Sequence, residues 1–228
     1  MDFSSWFDAL SEPGTIATGA ALIGLVFGVA AQLSRFCLRS AVIDVTGTAG
    51  GEDRWQRLSL WLIVLGAAMA ATQWLVTSGL AEFENVRQLT SARSLSGVLI
   101  GGLLFGIGAV LTRGCVSRLT VLSATGNLRA VVALGIFAAV AFATFDGPLT
   151  PLRQSILGLC TLGGGADLSL LSLAGMTAAT GVIAGLALAL VALAVGIAVG
   201  LGFFQILLGI LLGATIAAGW WFTFSLSG

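Results

Sequence analysis

Residues 168–228 contain no charged side chain. A stretch that long and apolar exceeds what one helix needs to cross a bilayer, about 20 residues. It must divide, and Gly200-Leu201-Gly202 is where it divides best, giving helices over roughly 170–196 and 203–225. The rest of the chain has the same character. Of 228 residues, 57% are hydrophobic and 9% charged, and mean hydropathy is +1.06. No soluble domain of this size hides that much apolar surface. Strand-like alternation is absent and Ala, Leu and Gly dominate, so the backbone must be satisfied within helices rather than a barrel. The expected fold is all-α: a polytopic membrane helix bundle, with residues 1–228 as a single integral membrane domain. The 32 glycines suit close helix approach and interrupted helices.

Several function classes fall away. Ten acidic residues balance ten basic ones, so nothing marks a nucleic-acid surface. All the basic residues are Arg, whose forked guanidinium suits oxyanions. There is no His and no Tyr, which removes the usual general base, metal ligand and proton relay. The chain is therefore read as no enzyme, with no cofactor and no metal. Three Cys do not make a disulfide framework. Asp2, Asp8 and Glu12 stand where a signal peptide would need positive charge, so the first apolar segment is expected to be retained.

Along the chain the expected pieces are a helix over 15–33, a short polar-started segment over 34–46 and a loop at 47–51. A helix then runs from about Arg54 to Thr77, with Trp55, Trp61 and Trp74 as interface anchors, and a polar loop fills 79–93. Next come a helix over 94–112, a short segment over 115–125, a turn at Gly126-Asn127 and a helix over 128–145 ended by Asp146-Gly147-Pro148. Residues 149–160 form another short piece, and 163–165 a loop. The count is six spanning helices with two or three short broken, re-entrant pieces.

One pattern occurs twice. Residues 22–40 read LIGLVFGVAAQLSRFCLRS and residues 100–118 read IGGLLFGIGAVLTRGCVSR; a shift of 78 lays Phe27 on Phe105, Gly28 on Gly106, Arg35 on Arg113 and Cys37 on Cys115. The repeat units are 15–78 and 93–146, followed by C-terminal helices over 147–228. If each short piece re-enters and returns, each unit makes an odd number of crossings. The copies are then inverted, and their breaks meet near the midplane.

The candidate site follows from the repeat. As neutral thiols Cys37 and Cys115 touch a sulfur-containing ligand weakly; as thiolates, which nearby Arg favours, they repel an anion and invite covalent chemistry. Arg35, Arg39, Arg113 and Arg118 raise the local positive potential or snorkel to the interface. Ser34, Thr112 and Ser117 donate to anionic oxygens or cap the short helices. Helix N-termini at the breaks add backbone donors. Asp44 is expected to pair with Arg39 or Arg35, and Cys160 only to pack. The spacings Gly24/Gly28 and Gly102/Gly106 read as helix-packing features.

At F-G-V-A-A-Q-L-S-R-F-C, at G-G-L-L-F-G-I-G-A-V-L-T-R-G-C-V-S-R and at the following A-T-G-N-L-R-A, the chain resembles the YeeE/YedE family of membrane transporters. Together these pieces cover most of residues 20–135. The resemblance implies a transporter of the bacterial inner (cytoplasmic) membrane in which thiosulfate passes between pathway thiols, here Cys37 and Cys115. Longer members carry a glycine-rich G-C-N element in a second half; residues 168–228 hold no Cys. The chain is then a shorter relative, a truncation, or one that works as a homo-oligomer or with a partner subunit.

The expected function is a permease for thiosulfate or a related small sulfur-containing anion, seated in the lipid bilayer. Two rivals stand beside it: a membrane sulfurtransferase using a Cys persulfide, and a subunit that needs a partner for transport.

Overall fold

The computed structural model describes residues 12–46, 55–80, 93–162 and 178–227. Those residues hold nine helices: α1 (Glu12–Leu33), α2 (Leu38–Thr46), α3 (Gln56–Thr77), α4 (Leu95–Leu111), α5 (Val116–Ala124), α6 (Leu128–Phe145), α7 (Thr150–Gly158), α8 (Ala178–Ala198) and α9 (Phe203–Ser227). Among the described residues six stretches are long and apolar enough to cross a membrane: Gly14–Thr46, Gln56–Thr77, Leu95–Ala124, Leu128–Phe145, Thr180–Ala198 and Phe203–Ser225. The protein is an all-α polytopic membrane protein, with α2, α5 and α7 as its short pieces. The expected loops at 47–51 and 163–165, most of that at 79–93, and residues 170–177 of the expected 170–196 helix lie outside the described residues.

The helices form two compact units whose segments alternate along the chain. The first takes in α1, all but the start of α3, α8 and α9; the second takes in α2, the start of α3 and α4 to α7.

In the first unit glycine sets the helix spacing. A Cβ placed on Gly66 of α3 would stand 2.6 Å from the backbone N of Ala189 on α8, and one on Gly185 of α8 would stand 2.6 Å from the N of Ala70 on α3. Each helix thus lays a small-residue row, Gly66/Ala70 and Gly185/Ala189, against the other's backbone. That close approach is how helices associate where no hydrophobic effect drives them together. Leu60, Ile63, Ala192 and Leu201 are buried beside this seam. At the glycine pairs expected to pack, Gly24/Gly28 and Gly102/Gly106, nothing among the described residues lies within 4 Å of a Cβ placed on any of the four. Spacing alone did not distinguish a helix face turned toward a neighbour from one turned outward.

In the second unit α5 packs on α6, and α4 on α7. Ser94 begins α4, its Oγ accepting from Gly97 N at 2.8 Å. Ser96 Oγ donates to Ile156 O of α7 at 2.6 Å. Two-residue strands, β1 (Arg93–Ser94) and β2 (Thr161–Leu162), pair antiparallel across this contact, an element the sequence did not announce. Asn127 begins α6, its side chain accepting from Ala130 N at 3.3 Å.

Candidate functional site

Each copy of the repeated motif stops a helix, turns and starts a short one. α1 stops at Leu33 and α2 starts at Leu38; α4 stops at Leu111 and α5 starts at Val116. α2 and α5 are nine residues each, and a cysteine immediately precedes each of them. Cys115 is the N-cap residue of α5, with extended backbone. In both copies the turn passes through a left-handed arginine, Arg35 at φ 53° and Arg113 at φ 60°.

Within the second unit the two cysteines meet. Cys37 Sγ and Cys115 Sγ lie 3.9 Å apart, within sulfur hydrogen-bonding reach and unbonded covalently. Both residues are buried, at 8% and 7% exposure. Ser117 Oγ stands 3.1 Å from Cys115 Sγ, so one thiol and one hydroxyl can exchange a hydrogen bond. The cysteines' own backbone carbonyls are already used: Ala41 N donates to Cys37 O at 3.1 Å and Leu119 N to Cys115 O at 3.0 Å. The result is a small, soft cluster of two sulfurs and a hydroxyl at the N-terminal ends of two short helices. It can make weak contacts to a polarizable ligand, and the helix ends add positive potential.

The other expected site residues sit differently. Ser34 Oγ donates to Ala31 O at 3.5 Å, back into α1. Thr112 Oγ1 shares its proton between Gly108 O at 2.8 Å and Gly114 O at 2.9 Å. Neither hydroxyl caps the short helix that follows it. Arg35 and Arg113 are exposed, and Arg118 is half-buried. The stem of Arg118 covers Gly114, where an added Cβ would meet Arg118 Cγ at 3.5 Å.

Two expectations are corrected. Asp44 pairs with neither Arg39 nor Arg35 but with Arg57, Nη1 to Oδ1 at 3.1 Å. Arg39 lies five residues before Asp44 on α2, which turns the two side chains to different sides of the helix; Arg35 precedes the break. The Arg39 Nε is buried without a hydrogen-bond partner among the described residues. Cys160, expected to pack, is exposed. Its position is held by the backbone, Leu95 N donating to Cys160 O at 2.9 Å and Cys160 N to Ser96 Oγ at 3.3 Å. No group of three or more His, Cys, Asp or Glu able to hold a metal occurs among the described residues.

Comparison with known proteins bears on what such a cluster handles. A family model described as "Sulphur transport" matches residues 33–201, which begin just before the first break and include both cysteines. Over 126 residues the chain is 29% identical to the thiosulfate transporter TsuA of Spirochaeta thermophila, covering 55% of this chain and 36% of that protein. The chain therefore spans little more than a third of the length of the curated relative it matches.

Proposed function

This chain belongs to the sulphur-transport (YeeE/YedE) family, and on that footing we propose that it passes thiosulfate or a closely related sulfur anion across a bacterial inner membrane. The observation that carries the reading is the pair of buried free thiols 3.9 Å apart at the two breaks. A sulfur-terminated anion offers a soft, polarizable end to such thiols and charged oxygens to donors around them. Cys37 and Cys115 serve as successive soft contacts, and Ser117 orients the Cys115 thiol through their 3.1 Å contact. Arg35, Arg113 and Arg118 supply positive potential on the approach. Ser34 and Thr112, whose protons go to carbonyls, support the breaks. Contact at each point stays weak, because a station that binds tightly does not release. The anion leaves chemically unchanged. The two copies are related by inversion, which brings the breaks together at the membrane midplane.

The test is uptake of sulfur-labelled thiosulfate into liposomes that contain this chain, with Cys115→Ala alongside. Uptake by the wild type and its loss in a variant that still elutes as a folded protein are expected. Equal uptake by both would remove the thiol from the route. Appearance of a persulfide on Cys37 or Cys115 during turnover would favour sulfur transfer instead.

A further inference from the structure

Among the described residues five helices end with a residue of left-handed backbone just past the C-cap. In α3, α5 and α8 that residue is glycine: Gly79 (φ 67°), Gly126 (φ 86°) and Gly200 (φ 80°). Paired hydrogen bonds close each of these ends, as where Gly126 N donates to Ser123 O and Asn127 N to Leu122 O, both at 3.1 Å. This geometry satisfies carbonyls that the helix leaves unpaired, and glycine fills it without steric cost. At α1 and α4 the same position is arginine, Arg35 and Arg113. The α4 end is otherwise complete, with Arg113 N donating to Val110 O at 3.2 Å and Gly114 N to Ala109 O at 3.1 Å. A glycine is present, at 114, but one residue too late to take the strained conformation. Arginine at 113 is therefore held against the preference of its own backbone. Strain of this kind persists where the side chain has a task.

Arg113 lines a cleft of about 250 Å³ in the second unit. Arg129, from the first turn of α6, lines it as well, together with Thr112 and Asn127 and an apolar wall that includes Leu119 and Leu122. No Asp or Glu lines the cleft. Among the described residues neither guanidinium makes an ion pair, whereas Arg57 does. Asn127 uses its oxygen to accept from Ala130 N, which leaves its amide N–H groups for another partner. Arg113 and Arg129 are both exposed and bring two positive charges and no counter-charge to the lining of one cleft, so an anion that enters it is attracted by both. Guanidinium forks match tetrahedral oxyanions edge to edge. The cleft also adjoins the thiol cluster along the chain, since Arg113 is two residues before Cys115 and Leu119 N bonds to Cys115 O.

We propose that the Arg113–Arg129 cleft is a binding station for a tetrahedral sulfur oxyanion, thiosulfate or sulfate, which it holds before or after the thiol pair. Its place on a transport route rests on the function proposed above; its ability to bind an anion does not. An anionic lipid headgroup offers similar oxygens, and the experiment separates the two sources.

Thermal unfolding of the purified full chain in lipid-free detergent is followed with sodium thiosulfate or sodium sulfate against sodium chloride of equal ionic strength. The wild type is expected to gain several degrees from either sulfur anion, and the Arg113→Gln/Arg129→Gln double variant none. An equal gain in the double variant, or no gain in the wild type, overturns the station. Uptake is then measured both in vesicles of zwitterionic lipid alone and in vesicles that include anionic lipid. Arg129→Gln is expected to raise the half-saturating thiosulfate concentration about tenfold, the loss of one charge-assisted contact, while Arg129→Lys raises it less. An unchanged half-saturation, or an effect confined to vesicles with anionic lipid, overturns it. Arg113→Gly supplies a third reading: a higher unfolding temperature with no anion response is expected, and a lower one would mean that Arg113 serves the fold alone. Anion-dependent stabilisation in a wild type that moves no thiosulfate supports the station and sinks the transport reading.

Discussion

Cys37 and Cys115 are 78 residues apart in the chain, yet their sulfurs lie 3.9 Å apart. Each begins a nine-residue helix and each is buried. Small side-chain rotations bring such thiols to bonding distance, and a disulfide would remove both soft contacts at once. A thiol oxidant such as diamide is expected to join them and to reduce thiosulfate uptake more than about tenfold, the loss expected if both weak contacts act in passage. Dithiothreitol should restore it. Peptide mass spectrometry reads the cross-link directly; uptake that survives a complete cross-link would place the route elsewhere.

Ser117 offers a finer probe. Its hydroxyl stands 3.1 Å from Cys115 Sγ. A neutral hydrogen bond contributes about 0.5–1.5 kcal/mol, so Ser117→Ala is expected to lower uptake roughly two- to tenfold with little change in stability. Initial uptake rates and an unfolding curve on the same preparation check both halves. Wild-type rates would show that the serine orients nothing that matters to passage.

The ion pair between Arg57 and Asp44 is asymmetric, with side-chain exposure of 51% and 8%. Removing the exposed partner leaves a buried carboxylate alone. Arg57→Ala is expected to destabilise by about 1–3 kcal/mol, the range for stranding a buried polar group. Adding Asp44→Ala should recover part of that loss, because the stranded charge goes with it. A double-mutant cycle of unfolding temperatures in detergent measures the recovery; strictly additive losses would refute it.

Glycines at two kinds of position should respond differently. Gly66→Leu or Gly185→Leu drives a side chain into a neighbouring backbone 2.6 Å away and is expected to destabilise by at least about 1–3 kcal/mol. Gly24→Ala and Gly102→Ala meet nothing within 4 Å and should be tolerated. Expression level and monodispersity in detergent distinguish the two classes. Matching behaviour would mean that the α3–α8 seam is looser than its geometry.

Where a helix boundary rested on local chemistry, it could be read directly from the sequence. Gly126 in left-handed backbone, Asn127 as cap and Asp146-Gly147-Pro148 as terminator bound Leu128–Phe145 at both ends as expected. The break before each cysteine was equally legible, because a polar Ser-Arg or Thr-Arg step interrupts an apolar helix. Partnerships across distance were not legible. Asp44 finds Arg57 thirteen residues on, across a segment whose course no local rule fixes. Gly66 and Gly185 find each other's helices although 119 positions separate them, while the more conspicuous Gly24/Gly28 pair faces open space. The cleft residue Arg129 lay in plain view in G-N-L-R, but only folding α5 back onto α6 sets it beside Arg113.

The left-handed arginine at 113 puts two kinds of selection in conflict. For a side chain other than glycine, that backbone carries a penalty of roughly 1–2 kcal/mol. A screen for thermostable variants, blind to cargo, would be drawn to glycine at 113, and at 35 for the same reason. If Arg113 holds the transported anion as proposed, a screen for growth on a scarce sulfur source rejects the glycine that the first screen favours at 113. Deep sampling of that position under both regimes would therefore rank the same substitutions in opposite order.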